Sequence, residues 1–349
     1  MRVLIFGATG SIGSQTITVL KQIKYQLVGI SFYNNIKKAK QIKCKYRYTP
    51  LYKNESNVKN YEELINKSKP DMIVNAVSGI AGLEITLLSI KHHIDIALAN
   101  KESLVVAGKF VTKLAKKNKV NIYPIDSEHA SLLQILKQIK DKPIELAITA
   151  SGGKYYNKSN NELKNISYKN AIKHPTWHMG DKISIDSSTL MNKCFEIIEA
   201  YWLFDKNVYV YHCPTSFCHA LCQYKNYYAM FEHKPDMKVH IKQALLKFKN
   251  KLPFIKTHNH NHLKLIKNTL PIKWAYDTIK NHDTTLPIIL NAADETAINL
   301  FKQQKINYLD IIKLISKCVK QFKNHRINNV SDIYNLHNKV NKYLIDFYK

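Results

Sequence analysis

The stretch Val3-Leu4-Ile5-Phe6-Gly7-Ala8-Thr9-Gly10-Ser11-Ile12-Gly13 decides the fold of this chain. The four apolar residues predict a buried strand, and the glycines that follow lead into a helical pattern. Such glycines permit a tight turn and let backbone N–H groups approach a pyrophosphate at the positive end of a helix. The spacing is G-x-x-G-x-x-G, not the usual G-x-G-x-x-G. We expect a nucleotide site; the alternative is a glycine turn needed only for packing.

Short apolar runs alternate with helical patterns through the first third of the chain. The predicted strands are Val3–Phe6, Leu27–Ser31, Met72–Ala76, Ile94–Ala99 and Asn121–Ile125, and the helices between them include Ile12–Ile23 and Leu83–His92. This alternation predicts an α/β protein with an N-terminal Rossmann-like doubly wound parallel sheet.

A central α/β region follows the first sheet, with Leu146–Ala150 as a strand and Met191–Phe204 as a helix. From Ile272 onward the pattern becomes largely helical and predicts a small C-terminal helical domain. We therefore expect a nucleotide-binding domain, a catalytic domain, a connector and an α-helical domain, over residues 1–126, 127–245, 246–270 and 271–349.

The large net charge of the chain does not by itself indicate a function. The 349 residues carry a formal charge of +27, but arginine occurs only at positions 2, 47 and 326. Surfaces that read phosphates usually exploit the arginine fork. The abundant Lys, Asn, Ile and Tyr all have A/T-rich codons, so we interpret the charge mainly as coding bias. We expect no nucleic-acid partner, although a positive field helps to recruit anionic substrates.

No targeting or membrane signal is evident. The N-terminus runs directly into the glycine motif, and no apolar run reaches the roughly 20 residues that span a bilayer. Cys213, Cys218 and Cys222 lie near two histidines, but their spacing fits no common zinc module. We expect reduced thiols in a cytoplasmic protein without a membrane partner. The histidine-rich run at 258–262 is interpreted as a solvated loop.

The end of the second predicted strand distinguishes between nicotinamide cofactors. NAD sites usually carry an acidic residue there to bind the ribose 2′-hydroxyl. This chain has Ser31-Phe32-Tyr33-Asn34-Asn35, followed by Lys37 and Lys38, with no acid. Polar and cationic groups favour a 2′-phosphate, so the prediction is NADPH.

Two carboxylates follow the apolar run that ends the first sheet, in Pro124-Ile125-Asp126-Ser127-Glu128-His129. In an extended segment, residues two apart point the same way, so Asp126 and Glu128 are expected to converge. Two such carboxylates repel unless a proton or a cation lies between them, and Mg²⁺ and Mn²⁺ prefer these oxygen ligands. The alternative is a solvated acidic turn.

Four other segments carry groups that suit a site for a cofactor and a substrate. Asn100-Lys101-Glu102 ends a predicted strand, and Ser151-Gly152-Gly153 has the composition of an anion-binding turn. Residues 174–180 combine proline, glycine and tryptophan as a mobile lid would. A helix from Met191 onward places Asn192, Glu196 and Glu199 on one face. A solvated helical face is the alternative there.

Together these motifs resemble the 1-deoxy-D-xylulose-5-phosphate reductoisomerases, with further similarity near Glu232–Met237 and at Leu290–Glu295. The resemblance implies NADPH and one divalent cation, Mg²⁺ or Mn²⁺, per active site. It implies isomerisation and reduction of 1-deoxy-D-xylulose 5-phosphate to 2-C-methyl-D-erythritol 4-phosphate in non-mevalonate isoprenoid biosynthesis. A homodimer is the family expectation.

The resemblance also implies a role for particular residues. Asp126, Glu128 and Glu196 match the metal ligands, with Glu199 in or near that shell, and Lys101 joins them as a catalytic residue. The cofactor residues are Thr9, Gly10, Ser11, Ile12, Asn35, Asn100, Glu102 and Gly180. The substrate residues are Lys101, Ser127, Glu128, Ser151, His174, Trp177, Ser187, Asn192 and Lys193.

This chain departs from the family pattern at several points. Tyr33-Asn34-Asn35 replaces a turn that usually carries glycine and a basic residue, so Lys37 or Lys38 would take over the 2′-phosphate contact. Asp181 stands where a basic residue is common, and the C-terminal region is short. Two other functions remain open: another NADP-dependent dehydrogenase of the semialdehyde or homoserine type, and a decayed binding protein that has drifted to nucleic acid.

Overall fold

The structure is a computed structural model that describes residues 1–48, 58–173, 177, 179–266, 269–281 and 284–348. Its strands are β1 Arg2–Phe6, β2 Gln26–Ser31, β3 Tyr46–Tyr48, β4 Met72–Asn75, β5 Asp95–Leu98, β6 Ile122–Pro124, β7 Glu145–Ala150, β8 Val208–His212, β9 Cys218–Gln223, β10 Tyr228–Glu232, β11 Ile255–Thr257 and β12 Lys264–Leu265. Its helices are α1 Ser11–Gln22, α2 Ile36–Gln41, α3 Val58–Ser68, α4 Ala81–Lys91, α5 Glu102–Asn118, α6 Ser127–Gln138, α7 Asn160–Leu163, α8 Tyr168–Ala171, α9 Asp181–Thr189, α10 Met191–Phe204, α11 Met237–Leu245, α12 Leu270–Lys280, α13 Leu286–Lys302, α14 Asp310–Gln321 and α15 Val330–Phe347.

The chain folds into two compact units, each built from separate segments of sequence. Unit 1 contains Met1–Ser103, Val111–Lys142 and Asp236–Ile255, and unit 2 contains Leu104–Phe110, Pro143–Pro235 and Lys256–Lys349. The four segments expected from the sequence do not coincide with these units. The start of the expected catalytic segment, α6, groups with the first sheet because Ile125 and Ala130 belong to its core. The four functional segments stay a prediction.

Unit 1 is built on a parallel sheet with the strand order β3-β2-β1-β4-β5-β6. Successive residues of β1 point to opposite faces of this sheet. Val3 and Ile5 pack with residues of α1, α6 and α11, whereas Leu4 and Phe6 pack with residues of α3 and α4. Helices therefore cover both faces, which confirms the doubly wound sheet predicted from the sequence.

The five predicted strands of this sheet are confirmed to within two residues at each end, but the sheet contains a sixth. The short edge strand β3 and the helix α3 lie in a segment to which the sequence analysis gave no element. Tyr46-Arg47-Tyr48 alternates over only three residues, so its period is too short to recognise.

Unit 2 contains a mixed sheet with the order β11-β10-β9-β7-β8-β12. The strand predicted at Leu146–Ala150 is β7, which pairs in parallel with β8. The helix predicted at Met191–Phe204 is α10. Both edge strands, β11 and β12, lie in the segment expected to be a connector. They are two or three residues long, with Lys256 and Lys264 among them, so no apolar period marks them.

The C-terminal part of unit 2 is helical, as predicted, and α13 packs against both α14 and α15. All six cysteines are free thiols. Among the described residues no helix is both long and apolar enough to cross a membrane.

Candidate active site

The glycine loop of unit 1 has the geometry that a nucleotide site requires. Gly7 adopts φ +81°, and a Cβ there would lie 2.5 Å from the carbonyl oxygen of Ala76. Gly13 is buried, and a Cβ would overlap the backbone of Gly7 and Ala8. Gly10 is the N-cap residue of α1 and, lacking a side chain, supplies no capping hydrogen bond. The first turn of α1 therefore presents backbone N–H groups to an anion. Ser11 and Ile12 begin this turn, and Thr9 and Gly10 directly precede it.

The end of β2 brings a lysine to the same loop. Asn35 is the N-cap residue of α2, and its side chain accepts a hydrogen bond from the backbone N–H of Lys38 at 3.0 Å. The Lys38 ammonium donates to the carbonyl oxygen of Thr9 at 2.9 Å. Lys38 is half-buried, whereas Lys37 is exposed. A cation thus lies between the glycine loop and the start of α2, where a ribose 2′-phosphate is expected.

Asn100 and Glu102 lie at the start of α5 and contact the loop that follows β4. The Asn100 amide donates to the carbonyl oxygens of Val77 and Gly79, each at 2.8 Å. Glu102 accepts from the backbone N–H of Gly79 at 3.1 Å. Both side chains are buried. The two predicted cofactor residues are therefore brought together on the backbone of residues 77–79.

Lys101 faces the candidate metal ligand Asp126 across the ends of β5 and β6. The ammonium lies 2.7 Å from one carboxylate oxygen, and Nδ1 of the buried His129 lies 3.2 Å from the other. Burial by itself raises the pKa of Asp126, but Lys101 and His129 together hold it well below its usual range. Asp126 is therefore ionised at neutral pH and its charge is balanced by neighbouring cationic or hydrogen-bonding groups.

Carboxylate oxygens of Asp126 and Glu128 lie within 4.8 Å of each other, which confirms that these side chains converge. The extended backbone assumed as the reason is wrong. β6 ends at Pro124, and Asp126 is the N-cap residue of α6, accepting from the backbone N–H of Glu128 at 3.3 Å. Capping favours Asp at this position and ends the strand. The bend expected at Ser127 is confirmed, since α6 begins there. The Ser127 hydroxyl donates to the Glu128 carboxylate.

In unit 2, two predicted substrate segments lie against each other. Gly152 and Gly153 both have positive φ, at +79° and +66°, in the turn after β7. A Cβ on Gly153 would lie 2.7 Å from the Cα of Ser188, so the turn contacts the end of α9 beside Ser187. The backbone N–H of Gly153 donates to the Ser151 hydroxyl at 3.2 Å. Ser151 and Ser187 are thus brought into one neighbourhood, as expected of an anion-binding turn.

The helix α10 directs its polar residues as the sequence predicted. The Asn192 amide donates to the Glu196 carboxylate at 2.5 Å, four residues further along. Lys193 forms an ion pair with Glu196 and also donates to the carbonyl oxygen of Thr149, at the end of β7. Lys193, Glu196 and Glu199 are all buried, which excludes the solvated-face alternative.

The remaining predicted residues lie around the segment interpreted as a lid. The Trp177 ring lies 6.1 Å from the ring of His219 on β9. Gly180 is the N-cap residue of α9, so its predicted cofactor role falls on a residue of unit 2. His174 lies outside the described residues. Asp181 accepts from the Tyr168 hydroxyl at 2.8 Å, which gives this unusual acidic residue a local partner.

Sequence reasoning missed a buried ionic network that fixes α9. The Lys182 ammonium lies 2.6 Å from Asp186 and 2.8 Å from Asp294 on α13. Burial raises the pKa of Asp294, although Lys182 opposes this effect. The signal in the sequence was a charged residue inside the apolar run of α13.

Comparison with known families finds one description along the chain. A family model for 1-deoxy-D-xylulose 5-phosphate reductoisomerase matches residues 3–68 and 51–108. The model for the C-terminal domain of that enzyme matches residues 122–204, and a second C-terminal-domain model, for DXP reductoisomerase, matches residues 233–343.

Individual relatives agree with the family models. The 1-deoxy-D-xylulose 5-phosphate reductoisomerase of Malacoplasma penetrans is 45% identical over 360 residues, covering 100% of this chain and 96% of the relative. That of Mycoplasmoides gallisepticum is 41% identical, covering 97% and 96%. A crystal structure of DOX-P reductoisomerase with NADPH, fosmidomycin and magnesium is similar with a TM-score of 0.84 and 28% identity, covering 100% and 98% of the chains. The Zymomonas mobilis enzyme in complex with NADPH gives 0.80 and 26%, covering 100% and 99%.

Proposed function

This chain belongs to the 1-deoxy-D-xylulose 5-phosphate reductoisomerase family, and we propose that it converts 1-deoxy-D-xylulose 5-phosphate to 2-C-methyl-D-erythritol 4-phosphate in non-mevalonate isoprenoid biosynthesis. It is an oxidoreductase that depends on NADPH and a divalent cation. The observation that carries this function is the similarity along the whole chain, in which both units take part. NADPH supplies the hydride for reduction, and the cation polarises substrate oxygen atoms.

The cofactor is proposed to bind at the glycine loop of unit 1. The uncapped first turn of α1 suits the pyrophosphate, because its backbone N–H groups carry the positive end of the helix dipole. Lys38 would pair with the 2′-phosphate, which gives the altered turn at Tyr33–Asn35 a cationic substitute. Its contact with the carbonyl oxygen of Thr9 places the ammonium beside the loop.

The cation is proposed to bind to Asp126, Glu128 and Glu196. The fit is chemical: all three side chains supply carboxylate oxygens, the donors that Mg²⁺ and Mn²⁺ prefer. Asp126 and Glu196 form ion pairs with Lys101 and Lys193 respectively, and a bound cation would take the place of these ammonium groups at the carboxylates. Glu199 is proposed to support this set from the next turn of α10.

The substrate phosphate is proposed to bind among Ser151, Ser187, Asn192 and Lys193 in unit 2. Hydroxyl, amide and ammonium donors suit a phosphate dianion, and the turn at 151–153 adds backbone N–H groups. Lys193 is already held at the end of β7 by the carbonyl oxygen of Thr149. His174 and Trp177 are proposed to complete this site, with Ser127 and Lys101 contacting the reacting part of the sugar.

A direct NADPH-oxidation assay tests this function. The purified chain is mixed with NADPH, 1-deoxy-D-xylulose 5-phosphate and Mg²⁺ or Mn²⁺, and the absorbance of NADPH is followed. We expect turnover that stops with EDTA and returns with added metal. NADPH oxidation that is indifferent to EDTA would contradict the metal assignment. Salt-sensitive binding to nucleic acid without NADPH binding would favour the decayed-protein alternative instead.

We also propose a homodimer in the cytoplasm. The six free thiols suit a reducing compartment, and the dimer follows from the family resemblance. Light scattering of the purified chain measures the oligomeric state; a monomer at micromolar concentration would contradict the dimer.

A further inference from the structure

A chain of buried hydrogen bonds lies behind the loop that follows β4. The Asn75 amide donates to the Thr86 hydroxyl at 2.9 Å, and the hydroxyls of Thr86 and Ser103 are 3.0 Å apart. The Ser103 hydroxyl donates to the Asn100 carbonyl oxygen. Because Ser103 gives its proton to Asn100, Thr86 donates to Ser103, and the chain has one direction. Asn75, Thr86 and Ser103 are all 0% exposed.

This network holds the backbone of residues 77–79 from both ends. Asn75 accepts from the backbone N–H of Val77 at 3.3 Å, and Glu102 accepts from that of Gly79 at 3.1 Å. The Asn100 amide nitrogen lies within hydrogen-bond distance of the carbonyl oxygens of Val77 and Gly79 and of the Glu102 carboxylate, so both of its protons are used and one is shared.

Gly82 also contributes to this arrangement, because it leaves room for Asn100. A Cβ there would overlap the Asn100 carboxamide. The first turn of α4 therefore leaves space for the Asn100 side chain. A buried polar network whose members are all satisfied fixes one backbone arrangement, because each alternative leaves a group without a partner.

The loop held in this way lies at the switch point of the first sheet. β1 and β4 are neighbours, whereas the chain crosses from β3 on one side to β4 on the other. Ligands of open α/β sheets bind in the crevice at such a point, outside the carboxyl ends of the strands. A Cβ on Gly7 would lie 2.5 Å from the carbonyl oxygen of Ala76, so the glycine loop and the loop that follows β4 are in contact.

We propose that residues 76–80 form a second wall of the NADPH site and that Thr86 and Ser103 are positioning residues that set it. This inference rests on the proposed cofactor site at the glycine loop. Asn100 and Glu102 then act on the cofactor largely through the loop, in addition to any contact of their own. The distinction is testable because Thr86 and Ser103 have no surface that reaches a ligand.

The test compares three buried hydroxyl deletions in unit 1. Thr86→Val and Ser103→Ala each interrupt the hydrogen-bond chain with little change in volume. Ser89→Ala is the matched control: Ser89 lies on the same helix as Thr86, is 0% exposed, and bonds to the carbonyl oxygen of Ile85 at 2.7 Å within its own helix. Thr86→Ser restores a hydroxyl and should rescue the first variant.

The Kd for NADPH is measured by fluorescence titration, and the KM for 1-deoxy-D-xylulose 5-phosphate is measured at saturating NADPH. We expect Thr86→Val and Ser103→Ala to raise the Kd about tenfold, the effect of one lost buried hydrogen bond, with the KM unchanged. Ser89→Ala and Thr86→Ser should bind NADPH as the unaltered chain does. Melting curves verify that each variant is folded at the assay temperature.

The possible failures are distinguishable. If the unaltered chain does not bind NADPH, the proposed function fails. If it binds NADPH and both deletions leave the Kd unchanged, the second wall is overturned. A rise in Kd equal to that of Ser89→Ala would likewise overturn it, because the effect would then be general loosening of the unit.

Discussion

At the scale of single residues, environment separates the roles of the acidic side chains. Asp126 is balanced by Lys101 and His129, whereas Glu128 accepts from the Ser127 hydroxyl. The sequence allowed both carboxylates to be selected because they follow a strand end. It could not reveal that one of them caps a helix, since the capping pattern and the extended pattern share the same letters.

Glu128→Gln should abolish metal-dependent turnover and leave NADPH binding intact. The amide keeps the size of the side chain but removes an anionic ligand, so we expect kcat to fall at least about 100-fold. Turnover and NADPH titration measure the two effects separately. The matched control is Glu63→Gln, whose side chain in the same unit is 56% exposed. If the control lost as much activity, or if Glu128→Gln kept full activity, Glu128 would not be a metal ligand.

Lys38→Met should weaken NADPH much more than NADH. The substitution removes the ammonium beside Thr9 while keeping an unbranched apolar side chain in the half-buried position. We expect the Kd for NADPH to rise about tenfold or more, the order of one charge-assisted contact, with the Kd for NADH nearly constant.

Lys37→Met is the control for this measurement. Lys37 is exposed on the same helix, and its substitution removes the same charge from the chain. Equal losses from both substitutions would show a general field effect and would remove Lys38 as the specific reader of the 2′-phosphate.

At the scale of elements, the apolar period decided what could be predicted. β1, β4 and β5 each contain three or four consecutive apolar residues and were recognised, as was α10 with its whole length. β3, β11 and β12 carry two or three residues each and were missed. Their pairing depends on neighbours that are distant in sequence, which periodicity within a segment does not record.

α5 bends where it meets a large aromatic residue. Ala107 departs from helical geometry at φ −136°, and a Cβ on Gly108 would overlap the indole ring of Trp202. Gly108→Ala should therefore lower the free energy of unfolding by about 1–3 kcal/mol through overpacking. Chemical denaturation measures the change.

A double-mutant cycle separates overpacking from helix propensity. In a Trp202→Ala background the clash is absent, so Gly108→Ala should become neutral or stabilise by up to about 1 kcal/mol. A destabilisation of the same size in both backgrounds would mean that Trp202 does not explain the glycine.

A salt bridge ties the turn after α11 to the start of β5. The Lys247 ammonium lies 2.7 Å from Asp95. Burial raises the pKa of Asp95, but hydrogen bonds from Lys247 and Asn121 outweigh it and lower the pKa below the ordinary 3.8. The hydrogen bond to Asp95 raises the pKa of Lys247 above the ordinary 10.5.

The directions of the two pKa shifts predict a range of pH over which the salt bridge stabilises the fold by a constant amount. A lowered acid pKa stabilises the fold above the unfolded value and ceases to do so as the pH falls through the folded value. A raised lysine pKa stabilises it below the unfolded value and ceases to do so as the pH rises through the folded one. Lys247→Met should thus lower the free energy of unfolding by a constant amount between pH 3.8 and pH 10.5, and by less outside that range. Urea unfolding at several pH values measures it; a loss that varies across pH 5 to 9 would contradict the assignment.

At the scale of the whole molecule, local motifs and a family resemblance predicted the cofactor type, whereas the candidate ligands and substrate residues stay predictions. The grouping of α6 and α11 with the first sheet was not predicted, because it depends on Ile241, Ala244 and Leu245 packing in a core whose other members lie far away in sequence. The ion pair between Lys182 and Asp294 was missed for the same reason.

The central claim is that this chain rearranges and reduces one phosphorylated sugar with hydride from NADPH. The most direct measurement supplies deuterium at the transferable position of NADPH, with 1-deoxy-D-xylulose 5-phosphate and Mg²⁺, and analyses the product by mass spectrometry and NMR. The account predicts a branched-chain 2-C-methyl-D-erythritol 4-phosphate that carries a single deuterium from the cofactor. An unbranched reduced sugar, or NADPH oxidation that transfers no deuterium to the sugar, would contradict it.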